Sequence, residues 1–214
     1  MSSGRSIYTA LKGCSKGAAD QYIIDYARTF GLPSVVFRMS CIYGPHQFGT
    51  EDQGWIAHFL LRAREAETIT IYGDGSQVRD VLFIDDLIQA FALALRAMPE
   101  ITGRAFNIGV GASNTLNLLQ LVHQITELQG GPCSVRFDDW RPGDQRYYVS
   151  NTTAFRKATG WAPTIGVRQG VECLYRWLED YCEKDRKPLK RVAAQVELAR
   201  VHRGSGQEAF ARTS

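Results

Sequence analysis

The sequence predicts a protein of the α/β class, and three observations lead to that prediction. Short apolar runs that suit buried strands alternate along the chain with longer segments of helical periodicity. Hydrophobic residues make up 44% of the 214 residues and charged residues 22%, which is ordinary for a chain with a sizeable core. No apolar run approaches the length of a membrane span. We therefore expect one domain, or a domain and a half, of alternating strands and helices.

The first half of the chain opens with a helix. Helical periodicity begins near Ser15 and ends at Gly31 and Pro33, because both residues interrupt helices. Residues 34–39 form a compact apolar run that suits a strand buried on both faces. After a Gly- and Pro-rich loop the pattern predicts, in order, a helix over 55–66, strands over 68–72 and 81–84, and a helix capped by Asp85 with Leu87, Ile88, Phe91, Ala92 and Leu95 on one apolar face.

The second half continues the alternation. Residues 105–108 and 135–137 suit short strands. A helix capped by Thr115 lies between these strands, and a short helix capped by Asn151 or Thr152 follows them. A last amphipathic helix lies near the C-terminus. The apolar stripes that we expect to face the core are Leu118, Leu121, Val122, Ile125 and Leu128 on the helix after Thr115, and Val167, Val171, Leu174, Leu178 and Tyr181 on this last helix.

Charge and cysteine usage limit the compartment and the partners. The five cysteines are scattered and form no CxxC pair, which indicates reduced thiols in a cytoplasmic protein. The formal net charge is +3, but seven basic and two acidic residues from Arg186 onward carry +5, which leaves −2 on the remaining body. No basic face with interleaved aromatic residues appears in that body, so the composition argues against nucleic-acid binding. We interpret the basic end as a solvated, partly disordered tail.

The segment 73–86 (GDGSQVRDVLFIDD) combines a glycine turn with a buried strand. Arg79 lies at the mouth of the predicted turn, and a guanidinium offers paired donors to phosphate oxygens. The alternative is a loop ion pair between Arg79 and either Asp80 or Asp74. The residues by themselves leave both interpretations open.

Three spaced motifs resemble those of one enzyme family. They are GDGSQVRDVLFIDDLIQAF at 73–91, RMSCIYGP at 38–45, and RPGD at 141–144 followed by GWAP at 160–163. Extended short-chain dehydrogenase/reductases carry similar motifs in this order, and they include NAD-dependent epimerases and dehydratases of nucleotide sugars. The likeness covers about residues 13–182, and CIYGPHQFGTEDQGW most resembles the branch with the CDP-paratose (CDP-tyvelose) 2-epimerases.

The resemblance implies a partial Rossmann-type parallel sheet, with the later strands and helices of that fold, and a small α/β substrate-binding lobe. It divides the chain into a non-matching leader (1–12), the C-terminal part of the epimerase/dehydratase domain (13–185) and the basic tail (186–214). The family binds NAD at a Gly-rich turn between its first strand and helix. The turn at 109–111 holds only two glycines and comes late, so we expect an N-terminally truncated chain without the NAD pyrophosphate turn.

The family's catalytic tyrosine and lysine lie one helical turn apart, so that the cation lowers the pKa of the phenol and holds the ribose. The family pattern aligns its lysine with Lys16, which thereby becomes a catalytic and cofactor-binding candidate. The tyrosine position then falls on Lys12, so the pair is incomplete. Tyr8 and Lys12 reproduce the spacing one turn upstream. They are a second catalytic candidate, and coincidence is the simpler explanation of their spacing.

Substrate contacts carry over from the matching motifs. Arg79 and Arg141 are candidate contacts of the nucleotide diphosphate, with Gln77 and Asn107 as neighbours. Tyr43, with the Gly-Pro that follows it, would shape the floor where nicotinamide and sugar meet, and is a cofactor-binding candidate.

Two positions depart from the family pattern, and one aromatic residue has two interpretations. Cys41 stands where the family often has Asn, so the amide contact is missing. His46 stands where the branch usually has Arg, which exchanges a permanent cation for a titratable one. Trp55 could stack on a base or sugar, although a tryptophan at a helix start is more often part of the core.

The remaining titratable residues predict no further chemistry. His58, His123 and His202 have no carboxylate or cysteine at ligand spacing, so we predict no metal site. Asp85 and Asp86 suit helix capping, and the acids Asp138, Asp139 and Asp144 suit surface charges on a loop.

Two functions remain open at this stage. The first is an NAD-dependent nucleotide-sugar epimerase, present as a truncated chain. The second is a non-catalytic remnant or nucleotide-diphosphate-binding module that cannot bind NAD alone. A sheet without its first strands would expose an apolar edge and face, so we also expect a homodimer or a partner chain that supplies the missing half.

Overall fold

The structure is a computed structural model and describes residues 5–185, with side chains at 13–112 and 114–182. The predicted tail (186–214) lies outside the described residues. The α/β class is confirmed, because parallel strands alternate with helices. The first elements are α1 (Arg5–Phe30), β1 (Val36–Met39), β2 (Cys41–Tyr43), α2 (Trp55–Arg64), β3 (Ile69–Tyr72), β4 (Val78–Phe83), α3 (Ile84–Arg96) and α4 (Met98–Ile101). They are followed by β5 (Ala105–Ile108), β6 (Thr115–Asn117), α5 (Leu118–Gln129), β7 (Val135–Asp138), β8 (Tyr147–Tyr148), α6 (Thr153–Thr159) and α7 (Val167–Asp185).

The strands pair mostly in parallel. Strand β1 pairs with β5, and β3 pairs with β7. Strand β4 pairs with β2 and β8 in parallel and with β6 in the antiparallel direction. Each parallel pair joins strands far apart in sequence, as crossover connections require. Strand β4 lies between two parts of the fold, which we call the body (around α3, β5 and α6) and the lobe (around α2, β3, α5 and α7).

Two hydrophobic clusters meet along β4, because successive side chains of a strand point to opposite faces. Leu82 belongs to the body cluster, in which α3, β5 and α6 pack around Phe106 and Phe155. Val81 and Phe83 belong to the lobe cluster, to which α2, β3, α5 and α7 contribute. The last four residues of β4 are all buried.

Helix α1 is longer than the sequence predicted, and its periodic stripe is exposed. The helix begins at Arg5 instead of near Ser15, because no proline interrupts the residues in between. It ends at Phe30 as expected. Tyr22 and Tyr26 are 68% and 52% exposed, whereas Ala27 is buried. Among the described side chains of α1 only Ala27 is buried, so the helix leaves its aromatic stripe outside.

Strand β1 is not buried on both faces, contrary to the prediction. Val36 is buried, but Arg38 and Met39 are exposed. In the described part of the chain β1 pairs with β5 alone. The apolar run therefore indicates a strand correctly, although burial depends on neighbours that the run does not reveal.

Helix α3 forms where predicted, but its cap and its buried face differ from the prediction. Its N-cap is Phe83, and Asp85 lies in the first turn instead. Leu87 is buried, whereas Ile88 and Leu95 are 57% and 71% exposed. The small residues of the helix face the core, so the wider apolar stripe points outward. The remaining buried residues of this helix are Asp86, Ala90 and Ala94.

Two other caps fall near the predicted positions. Asn117, and not Thr115, caps α5: its side chain accepts a hydrogen bond from Gln120 N at 2.7 Å, and the Gln120 side chain bonds back to the Asn117 amide. This is a capping box. At α6 the N-cap is Thr152 without a side-chain bond, while Asn151 Oδ1 accepts from the Thr153 amide at 3.1 Å.

Candidate functional site

The lobe encloses a cavity of about 190 Å³ between α2, β3, β4 and the loop after β7. We call it the lobe cavity. It brings together three of the predicted substrate-binding residues, Gln77, Arg79 and Arg141. Three acids and a histidine also line it, namely Glu51, Asp52, Asp144 and His58.

Arg79 projects into the lobe cavity from β4. The structure places it inside the strand and not at the mouth of a turn, because β4 begins at Val78. Its Nη2 lies 2.9 Å from Asp144 Oδ1, and its Nη1 donates to the Val78 carbonyl at 3.0 Å. The side chain is only 14% exposed. Arg79 is thus ion-paired, but its partner is neither Asp80 nor Asp74.

Arg141 enters the same cavity from the loop after β7. Its Nη2 lies 3.1 Å from Glu51 Oε1, and its Nη1 lies 3.5 Å from Asp52 Oδ1. The guanidinium also stands over the Tyr72 ring, 3.7 Å from the ring centroid, which suits a cation–π contact. Its Nε is buried and has no hydrogen-bond partner among the described residues. One donor of this guanidinium is therefore left for another acceptor.

One tight turn explains the spacing of the RPGD motif. The Asp144 amide donates to the Arg141 carbonyl at 3.1 Å, which closes a β-turn over four residues. Pro142 and Gly143 are its central residues, and Gly143 has a φ of 77°. A type II turn requires a positive φ at this third position, which favours glycine. The turn carries the Arg141 cation at one end and the acid that holds Arg79 at the other. The sequence predicted that Asp144 is a surface charge, whereas the structure pairs it with Arg79.

Gln77 supports the glycine turn below the cavity. It is 2% exposed, and its Nε2 donates to the Tyr72 carbonyl at 2.5 Å. Its Oε1 is buried and lacks a partner within residues 5–185. Beside it, Gly73 has a φ of 79° and packs directly against the Trp140 indole, which leaves no room for a Cβ. The turn therefore positions both β4 and the loop that carries Arg141.

Asn107 lies apart from the two arginines. Its Nδ2 donates to the Asn151 carbonyl at 3.3 Å, and it lines an open groove with Arg104 and Lys157. The structure does not bring Asn107 into the lobe cavity, because β5 pairs with β1 on the body side of the fold.

Tyr43 lies in the hydrophobic core of the lobe. It is 2% exposed, its hydroxyl donates to the Val167 carbonyl at 3.3 Å, and its ring packs edge-on against Phe83. Burial raises the pKa of the phenol well above its ordinary value. Any contact that this residue makes to a cofactor would therefore need a displacement of its side chain.

Cys41 and Trp55 form the inner wall of the lobe next to the cavity. Burial raises the pKa of the Cys41 thiol, and a hydrogen bond with the Trp55 side chain works in the opposite direction. Trp55 lines the lobe cavity and also packs edge-on against Phe59, with ring centroids 5.8 Å apart. It thus belongs both to the core and to the cavity wall, so the two interpretations of the sequence do not exclude each other.

The catalytic candidates lie on α1. Lys16 is exposed and is not among the residues that line the lobe cavity. Tyr8 and Lys12 fall within the same helix, four residues apart, as the spacing argument requires. Their side chains lie outside the described residues. The assignment of Lys16, Tyr8 and Lys12 to catalysis stays a prediction.

The sequence analysis missed the acids of the cavity and its histidine. Glu51 and Asp52 stand at the tip of the loop before α2, and the only signal for them was their place in a Gly-rich stretch. Burial lowers the pKa of His58, and the nearby Arg62 guanidinium lowers it further. His58 therefore contributes a neutral ring to a cavity with charged walls.

Over the described part of the chain no cluster of three metal-ligating side chains occurs. The same residues include no helix with the length and apolar character needed to cross a membrane. The five cysteines are all free thiols.

Comparison with known proteins identifies the family. Residues 12–109 match the model of the NAD dependent epimerase/dehydratase family. Among curated proteins, a CDP-paratose 2-epimerase of Salmonella typhi is 43% identical over an alignment of 174 positions, which covers 77% of this chain and 50% of that protein. Residues 12–109 therefore match this family, and the likeness to the CDP-paratose 2-epimerase extends beyond them.

Solved structures of nucleotide-sugar epimerases show a similar fold. A UDP-glucose 4-epimerase of Thermotoga maritima with UDP-glucose superimposes with a TM-score of 0.72 at 28% identity, over 79% of this chain and 53% of that one. A UDP-glucuronic acid 4-epimerase of Bacillus cereus, in complex with UDP-glucuronic acid and NAD, gives a TM-score of 0.72 at 25% identity, over 79% and 52%. The chain spans about half the length of the relatives it matches.

Proposed function

We propose that the lobe cavity binds the diphosphate of a nucleotide sugar, and that the protein serves in NAD-dependent epimerisation of that sugar. The observation that carries the proposal is the convergence of Arg79 and Arg141 on one cavity through the turn that joins Arg141 to Asp144. Guanidinium groups bind phosphate oxygens in pairs of parallel hydrogen bonds. The buried and unpartnered Nε of Arg141 is one such donor.

The neighbours of the two arginines suit the rest of a nucleotide. Trp55 and Tyr72 offer aromatic faces on the cavity wall, and Gln77 leaves an amide oxygen without a partner among the described residues. Base stacking on aromatic rings contributes to nucleotide binding generally. The likeness to a CDP-paratose 2-epimerase supports a CDP-linked sugar as substrate.

NAD enters this proposal as the cofactor of the family. When bound, it supplies hydride acceptance and return at a sugar carbon. The described residues fit it only in part: Lys16 is exposed and accessible to a ribose hydroxyl, whereas Tyr43 is buried with its hydroxyl already bonded. The chain's own contribution is therefore to hold and orient the nucleotide sugar.

A second candidate function is a nucleotide-diphosphate-binding module that does not bind NAD alone. The observation in its favour is that the cavity gathers the diphosphate candidates Arg79 and Arg141, while the cofactor candidates lie on α1 and in the core. In this case the chain would recognise the substrate without performing the redox steps.

Calorimetric titration of the protein with CDP, UDP and NAD tests both candidates. We expect CDP or UDP to bind, and we expect Arg79→Ala to weaken that binding about a hundredfold, because a charged hydrogen bond to phosphate is lost. Arg168→Ala is the matched control, since Arg168 is 80% exposed and pairs with Glu127 outside the cavity. Nucleotide affinity that is unchanged in Arg79→Ala would refute the proposed site. Binding of NAD would favour the epimerase, and nucleotide binding without NAD would favour the module.

A further inference from the structure

The loop over residues 44–54, which we call the strap, is anchored at one end and reaches the lobe cavity with the other. His46 packs on the Trp177 ring of α7 with centroids 4.7 Å apart. Phe48 contacts both Trp177 and Tyr181 edge-on. Gly49 packs so closely against the start of α2 that a Cβ there would collide with the Gly54 carbonyl. The first half of the strap is therefore held by aromatic packing and by backbone.

The second half of the strap is a tight hairpin turn. Thr50 and Gln53 exchange backbone hydrogen bonds of 2.7 and 3.2 Å, so Glu51 and Asp52 form its tip. The two tip side chains are 46% and 48% exposed. Arg141 contacts both tip residues, and Glu51 also accepts a hydrogen bond from the Tyr72 hydroxyl. These contacts involve none of the aromatic residues that anchor the first half of the strap.

The charges of the lobe cavity conflict with a bound diphosphate. Two guanidinium groups, those of Arg79 and Arg141, face three carboxylates among the lining residues that the structure describes. Each phosphate of a diphosphate diester adds one further negative charge. Like charges held a few ångströms apart repel strongly at a partly buried site. A diphosphate therefore gains most from Arg141 when the strap tip no longer occupies that guanidinium.

We propose that the strap is an autoinhibitory element, in which Glu51 and Asp52 occupy the Arg141 guanidinium and a nucleotide diphosphate must displace them to bind. This inference rests on the proposed function of the lobe cavity and adds a regulatory contact to it. The tip mimics the ligand chemically, since a carboxylate and a phosphate can each present two oxygens to the paired N–H donors of an arginine. The aromatic anchor keeps the displaced tip near the cavity, so that the contact re-forms when the ligand leaves.

Titration of the double variant Glu51→Gln/Asp52→Asn with CDP tests the inference. These substitutions keep the size of both side chains and remove the two competing charges. We expect CDP to bind about tenfold more tightly than to the wild type, which corresponds to about 1.4 kcal/mol. Glu172→Gln/Asp180→Asn on α7 is the matched control, because it removes the same charge outside the cavity. It should bind CDP as the wild type does. The single variants Glu51→Gln and Asp52→Asn should each give part of the gain.

The outcomes separate this inference from the proposed function. The wild type could bind CDP and Arg79→Ala could lose it, while Glu51→Gln/Asp52→Asn binds CDP no more tightly than the wild type does. This result would overturn the strap mechanism and leave the cavity assignment standing. If the double variant binds CDP and the wild type does not, the strap blocks the cavity completely until its charges are removed, which supports the mechanism. Failure of CDP and UDP to bind to either protein, with folding verified by circular dichroism, would overturn the proposed function and the strap mechanism together.

Discussion

A methyl group added at Gly109 should destabilise the fold, because this position faces a buried polar cluster. A Cβ at Gly109 would lie 2.6 Å from Asp80 Oδ2, 2.9 Å from Ser40 Oγ, and closer still to Ser150 Oγ. Asp80 is fully buried, and the same Oδ2 accepts hydrogen bonds from the Ser150 amide at 3.0 Å, the Gly111 amide at 3.2 Å and the Ser150 hydroxyl. Gly109→Ala therefore has to break this cluster or move β5.

The magnitude follows from the bonds that are lost. A hydrogen bond to a charged group contributes about 1.5–3 kcal/mol, and a buried charge deprived of its partners costs about 3–5 kcal/mol. The methyl group would overlap Asp80 Oδ2, which is the acceptor in all three of these hydrogen bonds, and Ser150 Oγ, which is one of the donors. We expect Gly109→Ala to lower the free energy of unfolding by about 3–5 kcal/mol. Urea denaturation followed by tryptophan fluorescence measures it, since the chain has four tryptophans.

Gly17→Ala is the matched control for this measurement. It adds the same methyl group in the middle of α1, where no described atom outside the local helix backbone lies within 4 Å of the new Cβ. Alanine is the better helix former, so this variant should gain roughly 0.5–1 kcal/mol. A Gly109→Ala protein that unfolds within about 0.5 kcal/mol of the wild type would refute the reasoning, because the hydrogen bonds to a charged group are each worth more than that.

Two further predictions concern titratable groups. Asp86→Asn should lower the free energy of unfolding by about 2 kcal/mol in urea titrations. The two oxygens of the Asp86 carboxylate accept hydrogen bonds from Thr164 N and Ile165 N at 2.9 and 3.0 Å, and the amide nitrogen of an asparagine cannot accept one. An equal loss in Asp85→Asn, at an exposed residue, would contradict this prediction. Burial holds the pKa of His58 below the unfolded value of about 6.5, so the unfolded state binds more protons and stability falls as the pH drops below that value. His58→Gln should flatten the decline in unfolding free energy between about pH 7 and 5, whereas His123→Gln, at a 75% exposed side chain, should leave it unchanged.

The arginine motifs illustrate how far the sequence analysis reached. The resemblance of the motifs to those of the family implied that Arg79 and Arg141 contact the same diphosphate, and the structure places both in the lobe cavity. It could not predict that Asp144 pairs with Arg79, or that Glu51 pairs with Arg141. These partners come from loops 65 and 90 residues away in sequence. Such pairs have no local signature, because tertiary packing alone brings the loops together.

The apolar runs, the family motifs and most of the helices and strands could be read from the sequence itself, because hydrophobic periodicity and turn chemistry act over a few neighbouring residues. The short elements β2, α4, β6 and β8 were not predicted. Which face of a helix is buried was decided only by the tertiary structure. Helix α3 carries a clear apolar stripe, yet Ile88 and Leu95 are exposed while the small residues face the core. The role of Asp86 was likewise hidden, since its partners Thr164 and Ile165 stand 78 and 79 residues further along the chain. Periodicity identifies an element, but burial depends on the surfaces that the rest of the fold brings against it.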